Sequence, residues 1–472
     1  MPQYADLGLI GLAVMGRNLA LNIADHGSTV AVYNRSSERT DEFLAGDALG
    51  FPIIGVHSVE GLVGTLQRPR VVVLMIKAGA PVDQQIDALA PLLEPGDIII
   101  DAGNSQFTDT ERRTARLDDL GIRFVGMGVS GGEDGARFGP SIMPGGSAEA
   151  WPHIKDIFTS IAATAEGEPC CEWVGPGGAG HYVKMVHNGI EYGDMQVIAE
   201  AYDVMGRGLG LDPRAMKPIF ERWNEGRLDS FLIEITAEIM GTVDTDGAPL
   251  IDRVLDAAGQ KGTGKWTVVA SLDQATPTTL VAEAVYARIV SSMIDERRVA
   301  ASALTGPSGT IEDDPDKVIA DLEDALYASK IVSYTQGFML FEAASQEFGW
   351  DLDPGTIASL WRAGCIIRSR FLADITSAYR SNPDVSSLLH DGFFHDAVTQ
   401  AEPGWRRTVA RAVAAGIPVP AYSSALAFYD GFRSERLPAN LIQAQRDSFG
   451  AHTYERVDEP RGQFFHSDWS EG

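Results

Sequence analysis

A chain of 472 residues exceeds the size at which one hydrophobic core stops growing, so two or more domains are expected. Its apolar content of 44% is ordinary for a soluble globular protein, and a formal net charge of −27 argues against binding to nucleic acid or anionic membranes. The same charge sets a requirement, because an anionic ligand must then be met by basic residues gathered locally in a cleft.

The N-terminal apolar stretch, residues 7–15, lacks a basic leader and runs into a glycine turn, which is not the pattern of a signal peptide. Residues 7–10, 30–33, 71–76, 98–101 and 123–126 read as strands, several apolar on both faces as buried parallel strands are. Helical stretches such as 16–26 fill the gaps, which is the signature of a doubly wound, Rossmann-like α/β domain over residues 1–177. All apolar runs are far too short to span a membrane. Cys170, Cys171 and Cys365 are odd in number and two are adjacent, which argues against a disulfide framework, and no Cys-x-x-Cys zinc pattern exists. A cytoplasmic protein is expected.

The character changes at Gly175-Pro176-Gly177-Gly178. Helix-period segments follow at 181–205, 228–240, 279–302 and 321–348, so residues 178–436 are expected to form a large all-α domain. It carries signs of an internal duplication. Phe231-Leu232-Ile233-Glu234-Ile235-Thr236 recurs as Phe371-Leu372-Ala373-Asp374-Ile375-Thr376. Leu211-Asp212-Pro213 is echoed by Leu352-Asp353-Pro354, and Trp223 by Trp361. Residues 437–472 form a C-terminal tail ending in Phe464, Phe465 and Trp469, too apolar to hang free. It docks either on another subunit or back on its own chain.

Three features carry chemistry. The first strand leads into Gly11-Leu12-Ala13-Val14-Met15-Gly16 and then a helix, a variant of the dinucleotide fingerprint. Gly11 permits the turn, Ala13 is small enough for a pyrophosphate to approach, and Gly16 allows close helix–strand packing. After the second strand comes Asn34-Arg35-Ser36, where NAD-binding domains usually carry an acidic residue. A guanidinium there suits the 2′-phosphate of NADP, with Arg39 adding charge and Glu38 counting against it. The alternative is an arginine solvated in a loop.

The second feature is a polar stripe. Lys184, His187, Asn188 and Glu191 stand at i, i+3, i+4 and i+7, an arc of about 100° on a helix, bordered by Val183, Met185, Val186 and Ile190. Gly189 in mid-helix is costly and points to something approaching the backbone. A cleft-facing surface is expected, against the alternative of a solvated face with a Lys/Glu pair. The third feature is a set of glycine-rich loops: Asp101-Ala102-Gly103-Asn104-Ser105, Val129-Ser130-Gly131-Gly132, and Gly259-Gln260-Lys261-Gly262-Thr263-Gly264-Lys265-Trp266. The last resembles a phosphate loop, but its spacing does not fit a Walker A motif. His390 and His395 read as loop histidines rather than ligands.

With these motifs, and with Pro140-Ser141-Ile142-Met143-Pro144-Gly145-Gly146 and Leu255-Asp256, the chain resembles the decarboxylating 6-phosphogluconate dehydrogenases over essentially its whole length. Departures are small: Ser36 stands where Thr is common and Ala102 where Gly is common. The resemblance implies oxidation of 6-phosphogluconate by NADP and decarboxylation to ribulose 5-phosphate, a step of the pentose phosphate pathway, without a metal. It implies that Lys184 is the general base and Glu191 the general acid, with Asn188 beside them. It places Ile76, Lys77, Ala78 and Asn104 on the cofactor together with residues 11–16 and 34–36. Asn104, Ser130, Gly131, Gly132, His187 and Asn188 would hold the sugar-acid end of the substrate. Tyr192, Lys261 and Arg288 would hold its phosphate. Arg446 and His452 would reach the neighbouring subunit's site in a homodimer. A lysine base needs a lowered pKa, for which burial and a cation such as Lys261 are the expected causes. Rival readings are a smaller β-hydroxyacid dehydrogenase, which lacks the second helical half and the tail, and a non-enzymatic NADPH sensor, against which the intact Lys184, Asn188 and Glu191 set argues.

Overall fold

The computed structural model describes residues 4–469. They form two compact units, one ending at Ala425 and one beginning at Leu426.

The N-terminal region builds an eight-stranded sheet from β1 (Leu7–Ile10), β2 (Val30–Tyr33), β3 (Ile53–Gly55), β4 (Val71–Leu74), β5 (Ile98–Asp101), β6 (Arg123–Ser130), β7 (Ser141–Gly146) and β10 (Gly175–Pro176). Strands β8 (Thr164–Ala165) and β9 (Glu168–Pro169) make a separate hairpin. The sheet order is β10-β7-β6-β5-β4-β1-β2-β3, parallel except between β6 and β7. Side chains alternate between two cores. Leu7, Leu9, Val30, Val32, Val71, Val73, Ile98 and Ile100 share one, and Ile10, Ala31, Val72, Leu74 and Ile99 the other. Both faces are therefore covered, which is why these strands read as unbroken apolar runs. Each buried Val or Ile contributes about 1.5–3 kcal/mol.

Four of the five expected strands begin and end within a residue or two of their observed bounds. The strand expected over 71–76 stops at Leu74, and Met75 and Ile76 go on to line a cavity. The strand expected over 123–126 runs on to Ser130 because β7 pairs with it antiparallel from Val125 to Ser130. Strand β7 itself was disguised by its Pro144-Gly145-Gly146 ending, and β10 lies inside the glycine-rich joint.

Beyond the joint the chain is helical. The expected helix over 181–205 is Ala179–Asp203, followed by a π-helical turn at Val204–Gly208. The segment 279–302 is two helices, Thr279–Ser292 and Ile294–Ala303. Ser291 and Ser292 turn their hydroxyls back onto the carbonyls of Arg288 and Ile289, and Arg297 donates to the Ser291 carbonyl at 3.0 Å. These bonds compete with continuation of the helix. Helix Pro315–Phe348 is buried over most of its 34 residues. It packs on Ala179–Asp203 and on Gly392–Ala415. His395 lies on that last helix, not in a loop as read from sequence. No helix among the described residues is long and apolar enough to cross a membrane.

The repeated segments share local structure. Asp212 caps the helix Pro213–Asn224 through the Ala215 N–H, and Asp353 caps Pro354–Leu360 through the Gly355 N–H. Trp223 and Trp361 are both buried. The two copies meet in a pair of reciprocal bonds, Phe231 N–H to the Arg368 carbonyl at 3.0 Å and Arg370 N–H to the Asp229 carbonyl at 2.9 Å.

Between the long helices lies a fully buried ion pair, Lys330 Nζ to Asp194 Oδ2 at 2.6 Å. The Tyr334 hydroxyl, 3.4 Å from the same oxygen, also bonds the Ile367 carbonyl at 2.7 Å. Lys330→Met would leave a carboxylate buried without its counter-charge. Denaturant unfolding is expected to show a loss of about 3–5 kcal/mol. A loss below about 1 kcal/mol, the range of an exposed pair, would contradict that account of the core.

Candidate active site

The turn after β1 is shaped by backbone contact. Gly11 has a φ of 105°, and a Cβ on Gly16 would sit 1.9 Å from the Gly11 carbonyl oxygen. Helix Val14–Asp25 starts with no side-chain cap, and Ala13 and Val14 are exposed there. Its first N–H groups therefore offer themselves to an anion. Asn34 has a structural task that the sequence did not separate from ligand contact. Its Oδ1 accepts from Leu12 N–H at 3.1 Å and its amide donates to the Ser36 carbonyl at 3.2 Å, tying the turn to the end of β2. Glu38, the unfavourable neighbour, accepts the Ser36 hydroxyl at 2.9 Å.

Two cavities follow this edge of the sheet. One of about 690 Å³ is lined by Gly11, Ala13, Asn34, Arg35, Ser36, Arg39, Ile76 and Lys77. The other, about 610 Å³, is lined by Ile76, Lys77, Ala78, Asn104, Lys261 and Trp266. They share Ile76 and Lys77. A pair of linked cavities at the carboxyl ends of parallel strands suits a dinucleotide. An uncapped helix start, a small residue at position 13 and two arginines fit one that carries an extra phosphate.

Three residues of the polar stripe are buried and the fourth, Glu191, is half-buried. Lys184 is 5% exposed, His187 0% and Asn188 9%, which rules out the solvated face. Lys184 lies on β6, where a Cβ at Gly128 would come within 2.5 Å of the lysine Cβ. Its Nζ is 3.3 Å from His187 Nδ1. That nitrogen is also 3.1 Å from Asn188 Oδ1, while Asn188 donates through Nδ2 to Thr263 Oγ1 at 3.1 Å. With the amide so placed, His187 carries its hydrogen on Nδ1, and Nε2 accepts from Ser130 Oγ at 3.1 Å. The lysine nitrogen thus lies within hydrogen-bond reach of a ring nitrogen whose other partner is the Asn188 amide.

Electrostatics shift Lys184 toward the neutral amine. Burial lowers the Lys184 pKa to about 8, against the pull of the Glu191 carboxylate. Lys261 is not among the groups that act on it, so of the two expected causes burial is the operative one. Burial, and then Lys184, hold the His187 pKa well below its ordinary value. Burial raises the Glu191 pKa, opposed by Lys184 and Arg288.

The remaining expected residues fall into groups. The Arg288 guanidinium lies 3.5 Å from the centre of the Tyr192 ring and donates to the Gly259 carbonyl at 3.0 Å. Lys261 and Asn104 share the second cavity. Gly131 and Gly132 continue from Ser130 with φ values of 124° and 64°, Gly131 packed on Gly364. Arg446 and His452 belong to the second unit, both exposed. Gly189 is explained by a neighbouring helix rather than a ligand, since a Cβ there would meet the Thr267 side chain at 2.7 Å. Sequence reading missed Thr263, although it lies in a segment singled out for its glycines. It also missed the edge-on contact of Trp361 with His187, ring centres 5.5 Å apart, which brings the second helical copy to the stripe.

Two family models account for nearly the whole chain. Residues 6–175 match the NAD binding domain of 6-phosphogluconate dehydrogenase, and residues 180–469 match the C-terminal domain of 6-phosphogluconate dehydrogenase. The chain belongs to the 6-phosphogluconate dehydrogenases. Decarboxylating 6-phosphogluconate dehydrogenase 2 of Saccharomyces cerevisiae is 59% identical, covering 98% of this chain and 96% of the yeast protein. The decarboxylating 6-phosphogluconate dehydrogenase of Ovis aries is 56% identical over 99% and 97%. Among solved structures, Plasmodium falciparum 6-phosphogluconate dehydrogenase, described apo, with its cofactor NADP+ and with its substrate 6-phosphogluconate, superposes with a TM-score of 0.93. It is 44% identical and covers 98% of this chain and 100% of its own.

Proposed function

We propose that this chain oxidises 6-phosphogluconate with NADP and decarboxylates the product to ribulose 5-phosphate and CO2, with Lys184 as general base and Glu191 as general acid. The observation that carries the reading is the buried Lys184 amine, its pKa lowered to about 8, set in the Ser130–His187–Asn188 network of a full-length member of the family.

NADP, when bound, accepts the hydride that leaves C3. Lys184 takes the proton of the C3 hydroxyl. The resulting 3-keto acid loses CO2 as β-keto acids do, and the Lys184 ammonium donates toward the C3 oxygen to stabilise the enediol. Glu191, whose raised pKa favours the protonated acid, delivers a proton to C1 of the enediol while Lys184 takes back the proton of the neighbouring hydroxyl, leaving the ketone of ribulose 5-phosphate. Ser130, Gly131, Gly132, Asn104, His187 and Asn188 orient the sugar acid, and Tyr192, Lys261 and Arg288 meet the phosphate. This local set of cations answers the requirement posed by a chain of charge −27.

Residues 1–177 supply the cofactor site, 178–436 the substrate site and the dimer contact, and 437–472 a tail that brings Arg446 and His452 to the partner's site. The three cysteines are free and buried, in keeping with a reducing compartment such as the cytoplasm. Absorbance at 340 nm with 6-phosphogluconate tests the activity. Turnover with NADP is expected and a silent reaction would refute it. Sedimentation tests the dimer.

Arg35 decides between cofactors. Arg35→Asp is expected to weaken NADP binding by about 1.5–3 kcal/mol through loss of charge-assisted bonds. Titration of NADPH fluorescence, which reports the same 2′-phosphate contact, measures it, and unchanged affinity would remove Arg35 from the site.

A further inference from the structure

The second unit contains a buried carboxylate that nothing above uses. Asp447 is 0% exposed and sits directly after Arg446 on helix Ala439–Gly450. It accepts four hydrogen bonds from the chain that follows. Thr453 N–H donates to Oδ1 at 3.0 Å and His466 Nδ1 to the same oxygen at 2.9 Å. Ser467 N–H donates to Oδ2 at 3.1 Å and the Trp469 indole to the same oxygen at 2.8 Å. Burial alone would raise its pKa, but the bonds from His466, Trp469 and Ser467 outweigh it and hold the group at about 2. It is thus a fixed anion at every working pH.

What the carboxylate holds is an unusual turn. Ala451 and Thr453, the residues on either side of His452, both have positive φ, 49° and 54°. Non-glycine residues keep such values only where the surroundings over-determine them. Here the Thr453 N–H is pinned by Asp447 and the Thr453 carbonyl accepts from Gln443 Nε2 at 2.5 Å. The other end of Gln443 accepts from Arg446 Nη1 at 3.1 Å. One carboxylate and one amide therefore connect Arg446, the strained turn at His452 and the last aromatic residues of the tail.

We infer that Asp447 is a positioning residue, which presets Arg446 and His452 for the partner's substrate site by gathering the turn and the end of the tail around its carboxylate. The inference rests on the reading that Arg446 and His452 contact substrate. A residue fixed before binding loses less freedom on binding, so the effect of losing Asp447 falls on substrate affinity.

The test is steady-state kinetics of the full-length enzyme with three variants. Asp447→Asn is expected to raise KM for 6-phosphogluconate about tenfold, the size of one lost charge-assisted bond. KM for NADP and kcat at saturating substrate should stay within about twofold, a split that general destabilisation would not produce. Trp469→Phe removes one of the four donors and keeps the carboxylate, and is expected to raise KM about two- to tenfold. Arg446→Ala separates the two layers of the argument. If it raises KM while Asp447→Asn and Trp469→Phe do not, the positioning role is overturned. If Arg446→Ala itself leaves KM unchanged, the underlying reading fails and takes this inference with it. Should Asp447→Asn not fold, Trp469→Phe decides alone, and an unchanged KM overturns the role.

Discussion

Lys184→Met is expected to abolish hydride transfer while leaving NADP affinity intact. Methionine keeps an unbranched stem that can rest on β6 beside Gly128, but it offers no lone pair to a hydroxyl proton. Hydride departs from C3 only as that proton leaves, so no increase at 340 nm should follow mixing with substrate and cofactor. The same variant should gain stability. Lys184 has its pKa lowered in the fold from 10.5 to about 8. Above the unfolded value both states are neutral and nothing is lost. As pH falls from there the unfolded chain takes up a proton that the folded chain does not, so stability falls until about 8 and stays low below it. At neutral pH the native protein therefore carries an opposing term of about 3 kcal/mol, an upper figure that methionine relieves. Loss of activity with a raised melting temperature is the trade-off expected of a group kept for chemistry rather than stability. Full turnover in Lys184→Met would overturn its role as base.

Glu191→Ala is expected to lower turnover by about 10²–10⁴-fold where protonation of C1 limits the rate. The hydride step should survive. A single enzyme equivalent of NADPH should still form rapidly on mixing, after which the reaction slows, because the enediol waits for a proton from water. That pattern separates the acid from the base, since Lys184→Met shows no first turnover at all. Glu191 is held ready by burial, which raises its pKa, and Lys184 and Arg288 limit the rise. The two groups interact, so the pH profile reports macroscopic values of the pair. Activity should rise as Lys184 loses its proton and fall as Glu191 loses its own. A rapid, undiminished steady state in Glu191→Ala would assign the acid to another group.

Much of this site was legible in the sequence because it depends on local spacing. The arc of Lys184, His187, Asn188 and Glu191 follows from helix geometry, and the turn at Gly11 from the strand and helix around it. The apolar runs of β1, β2, β4 and β5 were legible because both faces of the sheet are covered. What was hidden depends on distant pairing. Strand β7 is made a strand by β6, not by its own residues, which include a proline and two glycines. The role of Gly189 could not be separated from ligand approach until Thr267 was seen against it. The bonds by which the Asn34 amide ties Leu12 to Ser36 were likewise hidden, while the residue also lines the cavity its position suggested. Of the two causes expected for the lowered Lys184 pKa, burial is the operative one and Lys261 takes no part. Thr263 and Trp361 lie about 75 and 173 residues from Asn188 in the chain, and only the packed fold brings them to the stripe.

The central claim is that Lys184 works as a neutral amine. Single-turnover formation of NADPH, followed at 340 nm across pH with saturating 6-phosphogluconate and NADP, tests it most directly. The account predicts a rate that climbs as the amine deprotonates, with a midpoint near 8, and no signal at any pH in Lys184→Met. A rate independent of pH through that range, or a first turnover in the methionine variant matching the native enzyme, would contradict it.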